Sequence, residues 1–182
     1  MPPGSVVCLV LDDRSDAGWM TGLESNEDLL PMLTIAAGRM GSPAQARNAL
    51  LDVVDAHFPN ARWVARLDAD DELAGPDSLR TMVEAGENSA CLYVVGSNRL
   101  LLDGALLPLV NRACDATLRN RLTLLGFIEA FCHQKTAMEL PSCNLLLRTR
   151  SGIRYPNARS AEDHWLVAAL LMHWPENGAV VS

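Results

Sequence analysis

Short apolar runs of strand length alternate with amphipathic helical stretches along this chain, and two of the runs end in aspartates. The alternation predicts an α/β protein with a mostly parallel sheet covered by helices on both faces. An Asp-Gly pair between apolar flanks, followed by a leucine-rich stretch, predicts a hairpin and a helical insertion around residues 98–140. A length of 182 residues fits one domain spanning 1–182, long enough to bury a core without disulfides or metals as staples.

Val6 to Leu11 is a continuous apolar run and predicts a buried strand. Asp12 and Asp13 end it, and a polar, turn-rich stretch follows through Gly18. Residues 19–31 show no clear period and predict a loop with a short helix. Met32 to Ala36 predicts a second strand. Ser42-Pro43 then starts a helix, with Ser as N-cap and Pro at the first helical position. Ala46, Leu50, Val53, Val54 and His57 recur at helical spacing, and the helix stops before Pro59-Asn60.

Trp63 to Leu67 predicts a short buried strand, since aromatic and β-branched residues suit a pleated surface. Gly75-Pro76-Asp77 marks a helix start, Leu79, Met82 and Val83 form its apolar face, and Gly86 and Asn88 are the expected closers. Ala90 to Val95 is a strand, and Asp103-Gly104 is the hairpin turn. Residues 111–131 predict one or two helices with Leu118, Leu122, Leu125 and Ile128 on one face. After Pro141, Cys143 to Leu147 is a strand. Ser160 opens a helix whose buried face is Leu166, Val167, Leu170 and Leu171, and Pro175 stops it. Ala179 to Val181 begins a last strand.

A net charge of -7 argues against a general nucleic-acid binder, which needs a basic face. It leaves room for a phosphate-bearing small ligand whose charge a metal offsets. The five cysteines include no Cys-x-x-Cys pair and do not cluster with the histidines, so free thiols are expected rather than disulfides or zinc. Residues 1–15 lack a secretory pattern, and no run approaches the ~18 apolar residues of a membrane span. The expected compartment is the cytoplasm, with peripheral association with a membrane enzyme system left open.

The chemistry concentrates where strands end. Asp68, Asp70 and Asp71 fall within four residues, with Glu72 next, directly after an apolar strand. Hard carboxylate ligands in such density suit Mg²⁺ or Mn²⁺, and ligands of open α/β sheets bind at the carboxyl ends of strands. The plain alternative is a solvated acidic turn leading into a helix. Arg47 is equally a surface arginine, and the Glu162-Asp163 pair equally a favourable charge at a helix N-terminus. Trp165 could stack on a sugar or pack in the core.

Four pieces occur in order: Leu11-Asp12-Asp13-Arg14-Ser15, Ala46-Arg47-Asn48, Leu67-Asp68-Ala69-Asp70-Asp71 and Ala161-Glu162-Asp163. Their order and spacing resemble family 2 glycosyltransferases of the GT-A, Rossmann-like fold, over roughly residues 6–172. Two departures stand out. Arg14 takes the place of a usual glycine, and the chain begins at what would be the family's second strand, so the domain is expected to be truncated at its N-terminus. The resemblance implies transfer of a sugar from a nucleotide-sugar donor to a hydroxyl of a sugar or lipid-linked acceptor, with inversion and a divalent metal, Mn²⁺ or Mg²⁺. It implies Asp71 and Asp70 as metal ligands, with Asp70 also near the ribose. Asp13, Arg47 and Asp68 would bind or shape the site of the nucleotide. Asp163 would be the general base, supported by Glu162.

A sheet lacking that strand would expose an edge open to self-association. A non-catalytic GT-A-like remnant acting as a binding or assembly module is therefore the alternative reading. A Mg²⁺-dependent phosphoryl-transfer enzyme is a third, although no Walker-type loop is present in the sequence.

Overall fold

The computed structural model describes residues 6–13, 33–68, 71–108, 115–133, 135, 140, 143–158 and 160–181. The protein is mixed α/β. The chain divides into two compact units, Met1–Pro59 and Asn60–Ser182.

In the first unit, strands β1 (Cys8–Asp13) and β2 (Leu33–Gly38) pair in parallel, with Cys8 opposite Leu33 and Asp13 opposite Gly38. Helix α1 (Pro43–His57) follows. Its N-cap is Ser42, whose side chain accepts from the Gln45 amide at 3.3 Å, and Pro43 stands at the first helical position where no donor is required. The helix buries Ala44 and Leu51 and lies against β1. The loop expected at 19–31 lies outside the described residues.

The second unit holds a four-stranded sheet in the order β3-β7-β4-β8, made of Trp63–Ala65, Leu145–Arg148, Tyr93–Gly96 and Gly178–Val181. Here the expectation of mostly parallel pairing meets a mixed sheet. Strand β7 runs antiparallel to both β3 and β4, and only β4 with β8 is parallel. Parallel neighbours need a crossover connection. Strand β7 instead enters after the hairpin and the helical insertion and slots between two earlier strands, so chain order alone does not set its direction.

Helix α2 (Ser78–Ser89) packs on β4 and β8. Gly86 is not its closer. The helix continues to Ser89 and ends at Ala90 in the left-handed conformation, φ 49°. Gly86 is internal and buried because a Cβ there would sit 2.6 Å from the Trp63 ring and 3.1 Å from Val94. Around this contact the core gathers Cys91, Val94 and Leu146, with Trp63, Met82, Val83 and Ala179 packed on them. Trp63 is held on its other sides too: its indole N–H donates to Glu87 at 2.6 Å, and the Arg148 guanidinium stacks 4.5 Å from the ring.

The expected hairpin forms, with β5 (Arg99–Leu102) against β6 (Ala105–Pro108) around Asp103 and Gly104, both at positive φ. This is the backbone geometry that the Asp-Gly pair anticipates. The insertion becomes a 3₁₀ turn (Ala116–Arg119) and helix α3 (Arg121–Cys132). Its apolar face is not the expected one: Leu118 and Leu124 are buried, whereas Leu122 is 79% and Leu125 49% exposed. The 3₁₀ turn and the Asn120 cap break the helical phase between Leu118 and Leu122, so one continuous 3.6-residue period does not apply. Helix α4 (Glu162–His173) buries Leu166, Val167, Leu170 and Leu171 as expected. Trp165 packs edge-on to Phe131 of α3 at 6.1 Å, which places it in helix packing. No helix among the described residues is long and apolar enough to cross a membrane.

Candidate functional site

Strand β3 is shorter than expected, ending at Ala65, but its alternation persists beyond its ladder. Ala65 and Leu67 are exposed, while Val64, Arg66 and Asp68 are half-buried. Residues two apart on an extended chain share a face. Arg66 and Asp68 therefore project to the same side, and Leu67, expected inside, goes to solvent. The Arg66 amide donates to Leu145 O at 3.4 Å, which ties this end of the chain to β7.

The Arg66 side chain keeps only 11% of its surface exposed. It binds Asp68 as a fork: Nε donates to Oδ1 at 2.8 Å and Nη2 donates to Oδ2. Its remaining nitrogen, Nη1, reaches Asp163 Oδ2 at 3.5 Å. One guanidinium thus joins the acidic stretch after β3 to the start of α4, nearly a hundred residues on. Burial works against this charge. The hydrogen bond to Asp68 and the fields of Tyr155, Asp68 and Asp163 more than offset it, so the Arg66 pKa lies above the ordinary guanidinium value.

The α4 start is built on Ala161, left-handed at φ 56°, which turns the chain into the helix. Asp163 Oδ1 accepts from the His164 amide at 2.9 Å, and its other oxygen faces Arg66. Both Glu162 and Asp163 stand in the first turn, where the helix field favours negative charge. Glu162 is 4% exposed and Asp163 is half-buried.

Asp71 follows a turn closed by its own amide on Asp68 O at 3.1 Å, and its side chain is exposed. Cys143 sits within the field of this group. Burial raises its thiol pKa, Asp71 and Asp68 raise it further, and Arg66 opposes them. Asn98 Nδ2 lies 3.8 Å from Cys143 Sγ. Next in the chain, Asn144 is 8% exposed and its carboxamide N–H donates to Gly96 O, while its main-chain carbonyl accepts from the Gly96 amide at 2.8 Å.

The residues singled out in the sequence therefore fall into three groups. Asp68 and Asp163 are joined directly by Arg66, with Glu162 beside Asp163 and Asp71 one turn beyond Asp68. Asp13 ends β1, and Arg47 is half-buried on α1, both in the first unit. Asp70 lies outside the described residues.

Among the described residues no three His, Cys, Asp or Glu side chains converge as a metal cage. Asp68 is committed to Arg66, and among the described residues of the acidic stretch Asp71 and Glu72 keep exposed carboxylates. That donor set fits Mg²⁺ or Mn²⁺ only in the way Mg²⁺ is commonly held, by one or two carboxylates plus substrate phosphates.

Sequence reasoning missed Arg66 and treated Cys143 and Asn144 as structural. The signal for Arg66 was present: an arginine inside a run expected to be buried requires a buried partner. No family model matches the chain, and no curated protein matches it.

Proposed function

We propose that this protein is a metal-dependent, inverting glycosyltransferase that moves a sugar from a nucleotide-sugar donor to a hydroxyl of a sugar or lipid-linked acceptor. The observation that supports this most is the Arg66 bridge, which sets the candidate base Asp163 beside the acidic stretch at Asp68. Cleaving a sugar–diphosphate bond requires charge neutralisation on one side of the anomeric carbon and a proton acceptor on the other. Arg66 ties Asp163, the proton acceptor, to the acidic stretch whose Asp71 would hold a neutralising metal. In the full reading the fold is of GT-A type, with its nucleotide-binding half formed around Asp13 and Arg47.

In this reading Asp163 accepts the proton of the acceptor hydroxyl as the acceptor oxygen attacks the anomeric carbon. The bond from that carbon to the diphosphate breaks, and the electron pair leaves with the nucleoside diphosphate, which inverts the configuration. A divalent ion would be held by Asp71 and Asp70 and would supply Lewis-acid neutralisation of the diphosphate. Arg66 fixes the separation of Asp68 and Asp163, and Glu162 backs the helix start. Asp68 and Asp70 would receive the nucleotide.

Thermal melts with Mn²⁺ together with UDP, GDP or dTDP test the proposal, because ligands that bind only the folded state raise Tm. A rise that needs both metal and nucleotide, and that Asp71→Ala removes, supports it. Asp163→Asn should keep the rise and lose transfer. The absence of a shift with every pair overturns the enzyme reading. Stable self-association without nucleotide binding would favour the assembly-module alternative.

A further inference from the structure

The β5–β6 hairpin keeps its leucines in water. Leu100, Leu101, Leu102, Leu106 and Leu107 are 41–61% exposed, and within the second unit no other element packs closely on them. Residues paired across a ladder share a face. Leu100 and Leu107 lie on one face and Leu101 and Leu106 on the other, so both faces are apolar. Together these side chains leave about 450 Å² of apolar surface in water, as much as the largest patch on a typical monomer. The only charged side chains of the hairpin are Arg99 at its base and Asp103 in its turn.

The hairpin also has open edges. Asp103 and Gly104 have φ of 48° and 78°, the signs of a two-residue type I′ turn. The pair flanking such a turn exchanges its hydrogen bonds, and the pattern alternates from there along the ladder. Leu102–Ala105 and Leu100–Leu107 thus bond inward, while Arg99 and Leu101 on β5, and Leu106 and Pro108 on β6, turn their backbone groups outward. Pro108 brings no N–H, so the β6 edge is blunted. The β5 edge presents both donors and acceptors, at Arg99 and Leu101. Two strands alone are marginal, and three or more with an apolar face are needed for independent stability. Lipid does not meet that need, because hydrocarbon cannot satisfy the unpaired backbone groups of an open sheet edge. Another strand can.

We propose that β5 is a homodimerisation edge, pairing antiparallel with β5 of a second copy about a two-fold axis at Leu101. A two-fold interface brings the same patch of both copies together. With Leu101 opposite Leu101, Arg99 of each copy falls opposite Asp103 of the other, on the same face of the sheet. The register that joins the open backbone groups therefore also joins opposite charges at both ends. Two hairpins become one four-stranded sheet. The two copies bring at most about 900 Å² of leucine surface, below the ~1,200 Å² of standard stable interfaces, so the dimer should be reversible rather than obligate. This pairing does not depend on the glycosyl-transfer reading.

Sedimentation equilibrium of the full chain from about 1 to 500 μM tests the pairing, and the mass should rise from monomer to dimer across that range. Backbone amide hydrogen exchange, compared at the two ends of the range, should show new protection at Leu101 and none at Leu106. Leu101→Lys changes an exposed position, so the chain stays folded. It sets two ammonium groups opposite each other, and dimer affinity should fall by more than about tenfold. Asp103→Asn keeps a residue that the left-handed turn tolerates. It removes both ion pairs between the copies and should weaken the dimer about fivefold. A monomer throughout would overturn the proposal. So would a dimer that Leu101→Lys leaves intact, because the contact would then lie elsewhere. Co-sedimentation of the monomer with phosphatidylcholine vesicles, lost in Leu101→Lys, would make the hairpin a lipid anchor and overturn it as well. Neither metal nor nucleotide is added, so this outcome stands apart from the melts that test glycosyl transfer.

Discussion

Arg66 carries more of this site than any residue singled out by motif. It is forked onto Asp68, touches Asp163, and has 11% of its side-chain surface exposed. Removing it leaves Asp68 and Asp163 without their shared cation. Arg66→Met should therefore lower stability by about 1–3 kcal/mol in urea denaturation, less than for a fully enclosed pair because water still reaches Asp68. Arg66→Lys should restore only part of the loss, since an ammonium cannot reproduce the two-pronged contact. A full rescue by lysine would show that charge alone matters here. That Arg66 would be paired was foreseeable from its place in an apolar run. That its second partner would be Asp163 was not, because nothing local connects residues so far apart in the chain.

At the scale of elements, boundaries were largely legible and contacts were not. Ser42-Pro43, Asp103-Gly104 and the leucine spacing of α4 act within a few residues, so the local pattern carries them. Gly86 shows the opposite case. Its place near the end of α2 suggested a helix closer, yet it is there to admit the Trp63 ring. Two effects compete in Gly86→Ala. Helix propensity favours alanine by about 1 kcal/mol, whereas forcing a methyl group to within 2.6 Å of a packed indole opposes it. Overpacking of that kind costs about 1–3 kcal/mol, so the net change should be destabilising, read as a lower Tm. The α3 face failed for a related reason: a 3₁₀ turn shifted its phase, and Leu122 and Leu125 went to solvent.

For the molecule as a whole, the four-stranded sheet is locked at β4, where Tyr93, Val94 and Val95 are almost wholly buried. Burial pushes the Tyr93 phenol pKa up to about 12, and its hydroxyl donates to Trp174 O at 3.2 Å. The sign follows from linkage. The unfolded phenol ionises near pH 10 and the folded one near 12, so between those values the unfolded state sheds the proton first. Stability tied to Tyr93 is intact below about pH 10 and declines as pH rises toward 12, by an amount on the order of 2 kcal/mol. Tyr93→Phe should be less stable than wild type at pH 7, by about 1 kcal/mol for the lost hydrogen bond. That gap should close, and then reverse, above pH 10. A constant gap across that range in chemical denaturation would show that the phenol does not control alkaline stability.

Caps, turns and periodicities are short-range properties, and they suffice to place nearly every helix and strand of the described chain. Aspartates at strand ends and at the α4 start could be recognised by the same local logic. Pairing is of another kind. The antiparallel insertion of β7 between β3 and β4, the room made by Gly86 for Trp63, and the Arg66 link from Asp68 to Asp163 all depend on groups distant in sequence. Such contacts are selected by packing and by the need to satisfy buried charge and hydrogen-bonding groups, and those demands arise only once the chain has closed on itself.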